Sequence, residues 1–271
     1  MSQDRSADFE HLGSRLRKSP RVGAEVAAIL RDSILDGSLA NGQLLPKEDD
    51  LVASFRVSRQ SIREAMRILE TEGLVTVQRG NVGGARVHAP NAGGAAYMLS
   101  MVLQSQGTTF GDLAVTLRHL EPICAELCAL RPDRASAIVP RLRAHNASLR
   151  DAVAEEAEFT RVARSYHQTV VALSGNHTIE LIIGTLELLW SAQAQTWAQR
   201  ATTQREYPSR SQRTQVVRAH ERITDHIEAG DGDKARLAFR RHVEAAQEHM
   251  LTWAESMTIS SLPLRLDTRP V

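Results

Sequence analysis

Residues 57–73 read VSRQSIREAMRILETEG, a stretch that predicts one short helix with two different faces. Ser58 is a residue type that caps helix N-termini, and Gly73 suits the left-handed position at which helices end. The apolar residues recur at intervals of three and four, and are Ile62, Ala65, Met66 and Leu69. The arginines of a neighbouring face recur every four residues, and are Arg59, Arg63 and Arg67. Such a helix can rest on a small core and still present a basic side to a nucleic-acid groove.

Two amphipathic helices are predicted before this one, over residues 24–37 and 47–55, because apolar residues recur there at helical intervals. We expect Pro46 in the first turn of the second, where proline is favoured. After the basic helix, residues 74–77 are largely β-branched, and residues 81–87 combine turn-forming residues with a possible partner strand. Three helices and a two-stranded wing predict a winged helix-turn-helix.

The motifs within this segment stand in a characteristic order. They are Gly37-Ser38-Leu39, Gly42-Gln43-Leu44-Leu45-Pro46-Lys47-Glu48, Val57-Ser58-Arg59, Ile62-Arg63-Glu64-Ala65, Leu69, Glu72-Gly73-Leu74-Val75 and Arg79-Gly80. The set resembles the GntR superfamily of bacterial transcription regulators. The resemblance implies a recognition helix that contacts DNA through Ser58, Arg59, Gln60 and Arg63, and a wing tip that enters the minor groove through Arg79, Gly80 and Asn81.

The basic side extends beyond those contacts to Arg56, in the preceding turn, and to Arg67. One position departs from the family. Members often carry a basic DNA-contacting residue after the Pro-x-Glu unit, whereas this chain has Asp49. The resemblance therefore does not imply a DNA contact at position 49.

The whole chain has a formal net charge of only +1. Between Arg56 and Arg67, however, four arginines stand against the single acidic residue Glu64. Because the local field attracts phosphate, a nearly neutral chain still allows double-stranded DNA as a partner.

The length of 271 residues suits a DNA-binding domain of about 90 residues followed by a larger one. Beyond residue 94 the strand pattern stops and apolar residues recur at helical intervals, which predicts an antiparallel all-α bundle of six or seven helices. The fold class is therefore mainly α. The predicted divisions are a flexible arm over 1–20, the winged helix-turn-helix over 21–88, a linker over 89–94, the helical domain over 95–255 and a tail over 256–271.

Cys124 and Cys128 are too few for a disulfide framework, and we expect them as buried core residues in a reducing compartment. No apolar run reaches the roughly 18 residues of a membrane span, and the N-terminus is polar. The sequence therefore predicts a cytoplasmic protein with no membrane partner.

Three histidines of the second domain fall where apolar residues are expected. His220 is in phase with Val216, Ile223 and Ile227, and His167 follows Tyr166 on an earlier helix. His242 is in phase with four alanines, which are Ala235, Ala238, Ala245 and Ala246. Buried imidazoles are costly unless they are paired or bound to metal, so these three predict a shared site or a hydrogen-bonded core.

The same region resembles the helical FCD ligand-binding domain of the FadR-like branch of that superfamily. The residues that carry the resemblance are Leu117-Arg118, Leu120-Glu121-Pro122, Tyr166-His167, Ser174-Gly175-Asn176, His220, Ala229-Gly230, Gly232-Asp233 and His242. The resemblance implies a divalent metal held by one aspartate and three histidines, at positions 163, 167, 220 and 242. It also implies that Arg118 clamps an effector carboxylate; a salt-bridged surface arginine is the alternative. Position 163 is Ala163, so the acidic ligand is absent.

This substitution leaves three alternatives open. One is that His167, His220 and His242 are sufficient for a weakened zinc or nickel site. Glu156 or Glu158 could replace the missing carboxylate from an earlier turn. Alternatively, the site has no metal, and the histidines bind an anionic effector directly or are simply packed.

The most favoured function is a homodimeric transcription regulator, expected to be a repressor, that binds a palindromic operator and responds to a small carboxylate effector. A pocket without metal would instead suit a fatty acyl thioester. The other alternative is a metal-dependent hydrolase fused to a nucleic-acid module. His220-Glu221 begins a His-Glu-x-x-His motif, but Thr224 stands at the position of its second histidine.

Overall fold

The structure of the protein, a computed structural model, describes residues 22–78 and 84–260. Described residues up to Asn91 form one compact unit, and those from Ala92 form a second. The predicted arm over 1–20, the wing-tip residues Arg79, Gly80 and Asn81, and residues 261–271 of the predicted tail lie outside the described residues.

The first unit is a winged helix-turn-helix, as the sequence predicts. Its elements are α1 (Val22–Leu35), α2 (Glu48–Phe55), α3 (Arg59–Thr71), β1 (Val75–Gln78) and β2 (Gly84–Val87). The strands are antiparallel, with Val75 opposite Val87. The buried side of α3 carries Ile62, Ala65 and Leu69, while Met66 is only partly buried.

The ends of α3 follow the predicted pattern. The Ser58 side-chain oxygen accepts a hydrogen bond of 3.1 Å from the Ser61 amide. At the other end, Gly73 has a φ of +73°, a left-handed conformation that costs glycine little. These caps fix the position at which the basic face begins and ends.

The prediction for Pro46 is wrong, because α2 begins two residues later, after its N-cap residue Lys47. The Leu45 amide donates a 2.8 Å hydrogen bond to the Ala85 carbonyl of β2. The chain before Lys47 is therefore held extended along the wing, and Pro46 belongs to that extended segment rather than to the helix. The helix predicted over 24–37 also begins and ends two residues earlier.

The second unit is a bundle of seven α-helices within the described residues, which agrees with the predicted fold class. They are α4 (Ala92–Ser105), α5 (Phe110–Leu130), α6 (Val139–Asp151), α7 (Glu156–Ala172), α8 (His177–Gln204), α9 (Arg210–Ala229) and α10 (Gly232–Ala254). A π-helical turn, Arg134–Ile138, precedes α6, and a 3-10 turn, Ala152–Ala154, follows it. Helix α4 begins at Ala92, so the last three residues of the predicted linker 89–94 are helical.

The core of this unit lies among α5, α7, α9 and α10. Cys124 and Cys128 on α5 are fully buried and free, which confirms them as core residues. Burial raises the pKa of the Cys128 thiol to about 12, so it stays protonated and unreactive. No helix in the described part of the chain is long and apolar enough to cross a membrane.

Candidate functional site

The basic side of α3 is exposed. The side chains of Arg59 and Arg63 are 62% and 64% accessible, and Arg67 and Gln60 are exposed as well. Arg56 ends α2 with a φ of 55°, a left-handed conformation unusual for a residue other than glycine. The structure thus places the arginines that the sequence singled out where an approaching polyanion would meet them.

Acidic residues of α2 lie against two of these arginines. Arg63 donates from Nε to Glu48 Oε2 over 3.0 Å, and Arg59 forms an ion pair with Asp49. Sequence reasoning counted only Glu64 in this region and missed both contacts. The sequence feature that indicates these contacts is the acidic first turn of α2, the helix that precedes α3 in the helix-turn-helix. These pairs are exposed, so each contributes little and can be exchanged for a phosphate contact.

The three histidines of the second unit converge. His242 Nε2 lies 3.0 Å from His167 Nε2 and 2.9 Å from His220 Nε2. The rings come from α10, α7 and α9, and none is more than 5% exposed. Their ligand atoms lie within 4.8 Å of one another, close enough to share one metal ion.

The surroundings explain why the rings point inward. His220 lies on the buried face of α9 with Ile223 and Ile227, as predicted, and stacks on Tyr166 at a centroid distance of 4.0 Å. The predicted face of α10 is only partly right, because Ala245 and Ala246 are exposed. The buried neighbours of His242 along that helix are larger residues, and are Phe239, Val243 and Met250. Alanine tolerates either environment, so its spacing marks a helix face poorly.

All three imidazoles are held neutral. Burial, together with the nearby Arg164 cation, lowers the pKa of His167 to about 3. Burial also lowers the pKa of His220 and of His242 well below the usual value. A neutral imidazole nitrogen carries either one hydrogen or one lone pair, so His242 Nε2 cannot satisfy both neighbours at once.

The donor set fits a zinc-like or nickel-like cation in number and in chemistry, because three neutral imidazoles converge through the same ring nitrogen. The two Nε2 separations from His242 need to widen by only a few tenths of an ångström to reach those of a tetrahedral zinc site. In addition, His220 Nδ1 is buried without a hydrogen-bond partner among the described residues. The cluster is therefore incompletely satisfied by the protein alone.

The structure does not support Glu156 or Glu158 as a replacement for the missing carboxylate. Glu156 lies 3.3 Å from Arg213, and Glu158 accepts a 2.8 Å hydrogen bond from Arg161. The start of α7 lies about three turns from His167, so neither acid stands one turn before that histidine, as the missing ligand would.

The buried acids beside His167 are Glu121 of α5 and Glu187 of α8, which the sequence did not predict for this site. Glu121 Oε1 lies 3.2 Å from His167 Nδ1, where it can accept a hydrogen bond and fix the ring. Arg164 forms an ion pair with Glu187 and lies 3.5 Å from Glu121. Burial raises the pKa of Glu187 to about 8. Glu121 stood in a quoted motif, but nothing in the sequence indicated where its side chain lies.

A cavity of about 890 Å³ opens beside the histidines. His167, His242 and Ala163 line it, together with large aromatic residues, which are Phe159, Trp190, Trp197 and Tyr207. His220 lies behind this wall. Ala163 therefore leaves open space where an acidic ligand would otherwise stand.

Arg118, which the resemblance implies as a clamp for an effector carboxylate, is not among the residues that line this cavity. Its Nη2 donates a 3.3 Å hydrogen bond to Gln247 Oε1, and Gln247 is a wall residue. Arg118 is thus one residue removed from the cavity and supports the wall from behind.

The hydrolase alternative needs a further ligand or a general base beside the three histidines, and the two residues considered for these roles are engaged elsewhere. Glu221 forms an ion pair with Arg150. Thr224 donates to the His220 carbonyl over 2.9 Å and lies 3.0 Å from the Tyr166 hydroxyl. Neither residue is available to the three imidazoles as a ligand or a base.

Comparisons with known proteins agree with this division. Residues 23–87 match the model described as bacterial regulatory proteins of the gntR family, and residues 112–245 match the FCD domain. A solved GntR structure from Streptococcus agalactiae is similar in fold, with a TM-score of 0.60 and 22% identity over 82% of this chain and 97% of that one.

Among curated relatives, the HTH-type transcriptional repressor NanR of Klebsiella aerogenes is 37% identical over 33% of this chain and 36% of its own length. The uncharacterized regulator Rv0494 of Mycobacterium tuberculosis is 30% identical over 45% of this chain and 51% of its own length. The chain thus spans about half or less of these two relatives. NanR of Salmonella schwarzengrund is 27% identical over 89% of each chain.

All three relatives are named as transcriptional repressors or regulators. Both family models match in the order expected for one regulator, with the winged helix-turn-helix first and the helical domain second. The chain therefore belongs to the GntR family of bacterial regulatory proteins and carries an FCD domain.

Proposed function

We propose that the protein is a repressor that binds operator DNA through the first unit and releases it when a small organic acid binds in the cavity of the second. The observation that carries this proposal is the exposed row of arginines on α3, which is capped by Ser58 and followed by the wing. The relatives named repressors support the direction of regulation.

The DNA contacts would come from the recognition helix and the residues at its start. Arg59 and Arg63 are long enough to reach guanine edges or phosphates, while Arg56 and Arg67 add positive charge on either side. The Ser58 oxygen is engaged in the cap, so we assign Ser58 mainly to positioning the helix. Contacts from Arg79, Gly80 and Asn81 remain predictions.

The effector would be a carboxylate bound near His167 and His242. Zinc or nickel held by His167, His220 and His242 would supply an electrophilic centre for that carboxylate. Ala163 supports this assignment, because the space it leaves faces the imidazoles that line the cavity. The basic and aromatic wall suits an organic anion better than the long apolar chain of an acyl thioester.

The effector would act by shifting the population of two states of a homodimer bound to a palindromic operator. A coupling free energy of roughly 1 to 3 kcal/mol is enough to change operator affinity by severalfold to about a hundredfold. In this proposal the effector acts by binding alone, and no covalent step is involved.

The test is a mobility shift on DNA flanking the gene, with and without a panel of carboxylic acids, together with mass spectrometry for co-purified metal or ligand. We expect a specific shift that at least one acid weakens. A protein that fails to bind its flanking DNA above random DNA would contradict the proposal.

A further inference from the structure

A second polar cluster lines the same cavity, apart from the histidines. It consists of Thr160 on α7, Tyr207 before α9 and Arg213 on α9, and we call it the arginine cluster. The Tyr207 hydroxyl lies 2.5 Å from Thr160 Oγ1, and the Arg213 guanidinium lies 5.5 Å from the centre of the Tyr207 ring. The hydrogen bond and the ring hold these side chains in a defined arrangement.

Arg213 is the residue of this cluster with unmet hydrogen-bonding capacity. It is only 7% exposed, and its Nε and Nη1 atoms have no hydrogen-bond partner in the described part of the chain. Glu156 Oε1 lies 3.3 Å from Nη1, but without hydrogen-bond geometry, and that carboxylate is itself one-third exposed. A buried guanidinium stays charged and its unpaired donors are costly. Because Arg213 lines the cavity, an anion bound there would lie beside this positive charge.

The arginine cluster and the histidine site are separated by a defined length. His167 follows Thr160 by seven positions on α7, and His220 follows Arg213 by seven positions on α9. This offset is about two helical turns, or about 10 Å along each helix. Between the two ends the cavity is lined by apolar residues, Ala163 on α7 and Val216 and Ala219 on α9, and also by Arg164 and Gln215. Arg164 is paired with Glu187, so the cavity has two polar ends with a partly apolar stretch between them.

We propose that the cavity binds an elongated organic acid with an anionic group at each end. The histidine site holds one group, and the Arg213 guanidinium holds the other in a charge-assisted hydrogen bond. The apolar side chains between them, Ala163 and Val216, cover the carbon chain. This inference rests on the proposed function and specifies the class of effector, a long dicarboxylate or its equivalent.

The test compares straight-chain dicarboxylates, from glutarate to sebacate, with monocarboxylates of the same chain lengths, using calorimetry on the full chain. We expect affinity for the dicarboxylates to pass through a maximum at a long member and to exceed that for the matching monocarboxylate by about tenfold. Arg213→Met should remove this advantage and leave monocarboxylate binding unchanged. Arg218→Met, on the exposed side of the same helix, should retain it.

Equal affinity for both series, or an advantage that survives in Arg213→Met, would overturn the inference. If Arg213→Met does not fold, as judged by circular dichroism, the comparison of dicarboxylates with monocarboxylates on the unsubstituted protein still tests the inference. Operator binding is measured separately in the same preparations. An acid that weakens operator binding without any preference for two anionic groups would overturn this inference alone, whereas a protein without operator binding would overturn the proposed function.

Discussion

At the scale of single residues, Ala163 is the position with the clearest consequence. It stands one helical turn before His167 and lines the cavity. Ala163→Asp would add an anionic ligand beside three neutral ones, so we expect zinc affinity to rise on the order of tenfold or more in titration calorimetry. Ala246→Asp, an exposed substitution on the cavity rim, is the control for added charge. Equal gains in both variants would show that charge, and not ligation, is responsible.

The buried histidines also predict how stability depends on pH. Their pKa values are lowered in the folded protein, so below about pH 6.5 the unfolded chain takes up protons that the folded one does not. Each histidine can lower the free energy of unfolding by up to about 1.4 kcal/mol for each unit that the pH falls. Glu187 acts in the opposite direction, because its pKa of about 8 is raised and its contribution is lost as pH rises. The three histidines together have a larger effect than the one glutamate, so the free energy of unfolding should fall as the pH is lowered from 6.5 to 5.

Urea unfolding of the metal-free protein at several pH values measures this dependence. His242→Gln should reduce the fall in unfolding free energy between pH 6.5 and 5, because one proton-binding difference is removed. His177→Gln is the matched control, since the side chain of His177 is 99% exposed. An unchanged slope in His242→Gln would contradict the assignment of a neutral buried imidazole.

At the scale of secondary-structure elements, α3 is the recognition helix of the proposed function. Arg59→Ala and Arg63→Ala should each weaken operator binding by about 1 to 3 kcal/mol if the arginine reads a base edge. Fluorescence anisotropy with the flanking DNA measures this, with Arg218→Ala as a control outside the first unit. Affinity equal to that of the unsubstituted protein in both α3 variants would refute this docking of the helix.

The acidic first turn of α2 should oppose that binding. Asp49 pairs with Arg59 and would also stand near phosphates when DNA is bound. We expect Asp49→Asn to tighten operator binding severalfold, because it frees Arg59 and removes a repulsive charge. Asp50→Asn, at the next residue, should change affinity less. If Asp49→Asn weakens binding instead, the ion pair positions Arg59 rather than restraining it.

The sequence predicted elements better than contacts between them. The caps of α3, the wing and the inward phase of His220 depend on local spacing, and all are present in the structure. Glu121, Arg164 and Glu187 come from three helices distant in sequence, and no local pattern indicates their contact. The prediction for Pro46 was wrong for the same reason. The chain before α2 is held by a hydrogen bond from Leu45 to the remote strand β2, which no local pattern indicates.

At the scale of the whole molecule, we expect a homodimer formed through the second unit. One winged helix has a small footprint for tight specific binding, and Met98 and Val102 form an exposed apolar pair one turn apart on α4. Light scattering on the full chain should give the mass of a dimer at micromolar concentration. Met98→Asp combined with Val102→Asp should lower it, whereas Leu237→Asp, an exposed residue of α10, should not. A monomer before any substitution would contradict the proposal.

The alanine at position 163 has a further consequence for what such a regulator would sense. If the anionic ligand of the metal must come from the effector, then metal and acid each bind more tightly in the presence of the other. Thermodynamic linkage makes the two enhancements equal. The protein would then respond as a coincidence detector, changing operator affinity only when both the metal ion and the organic acid are abundant.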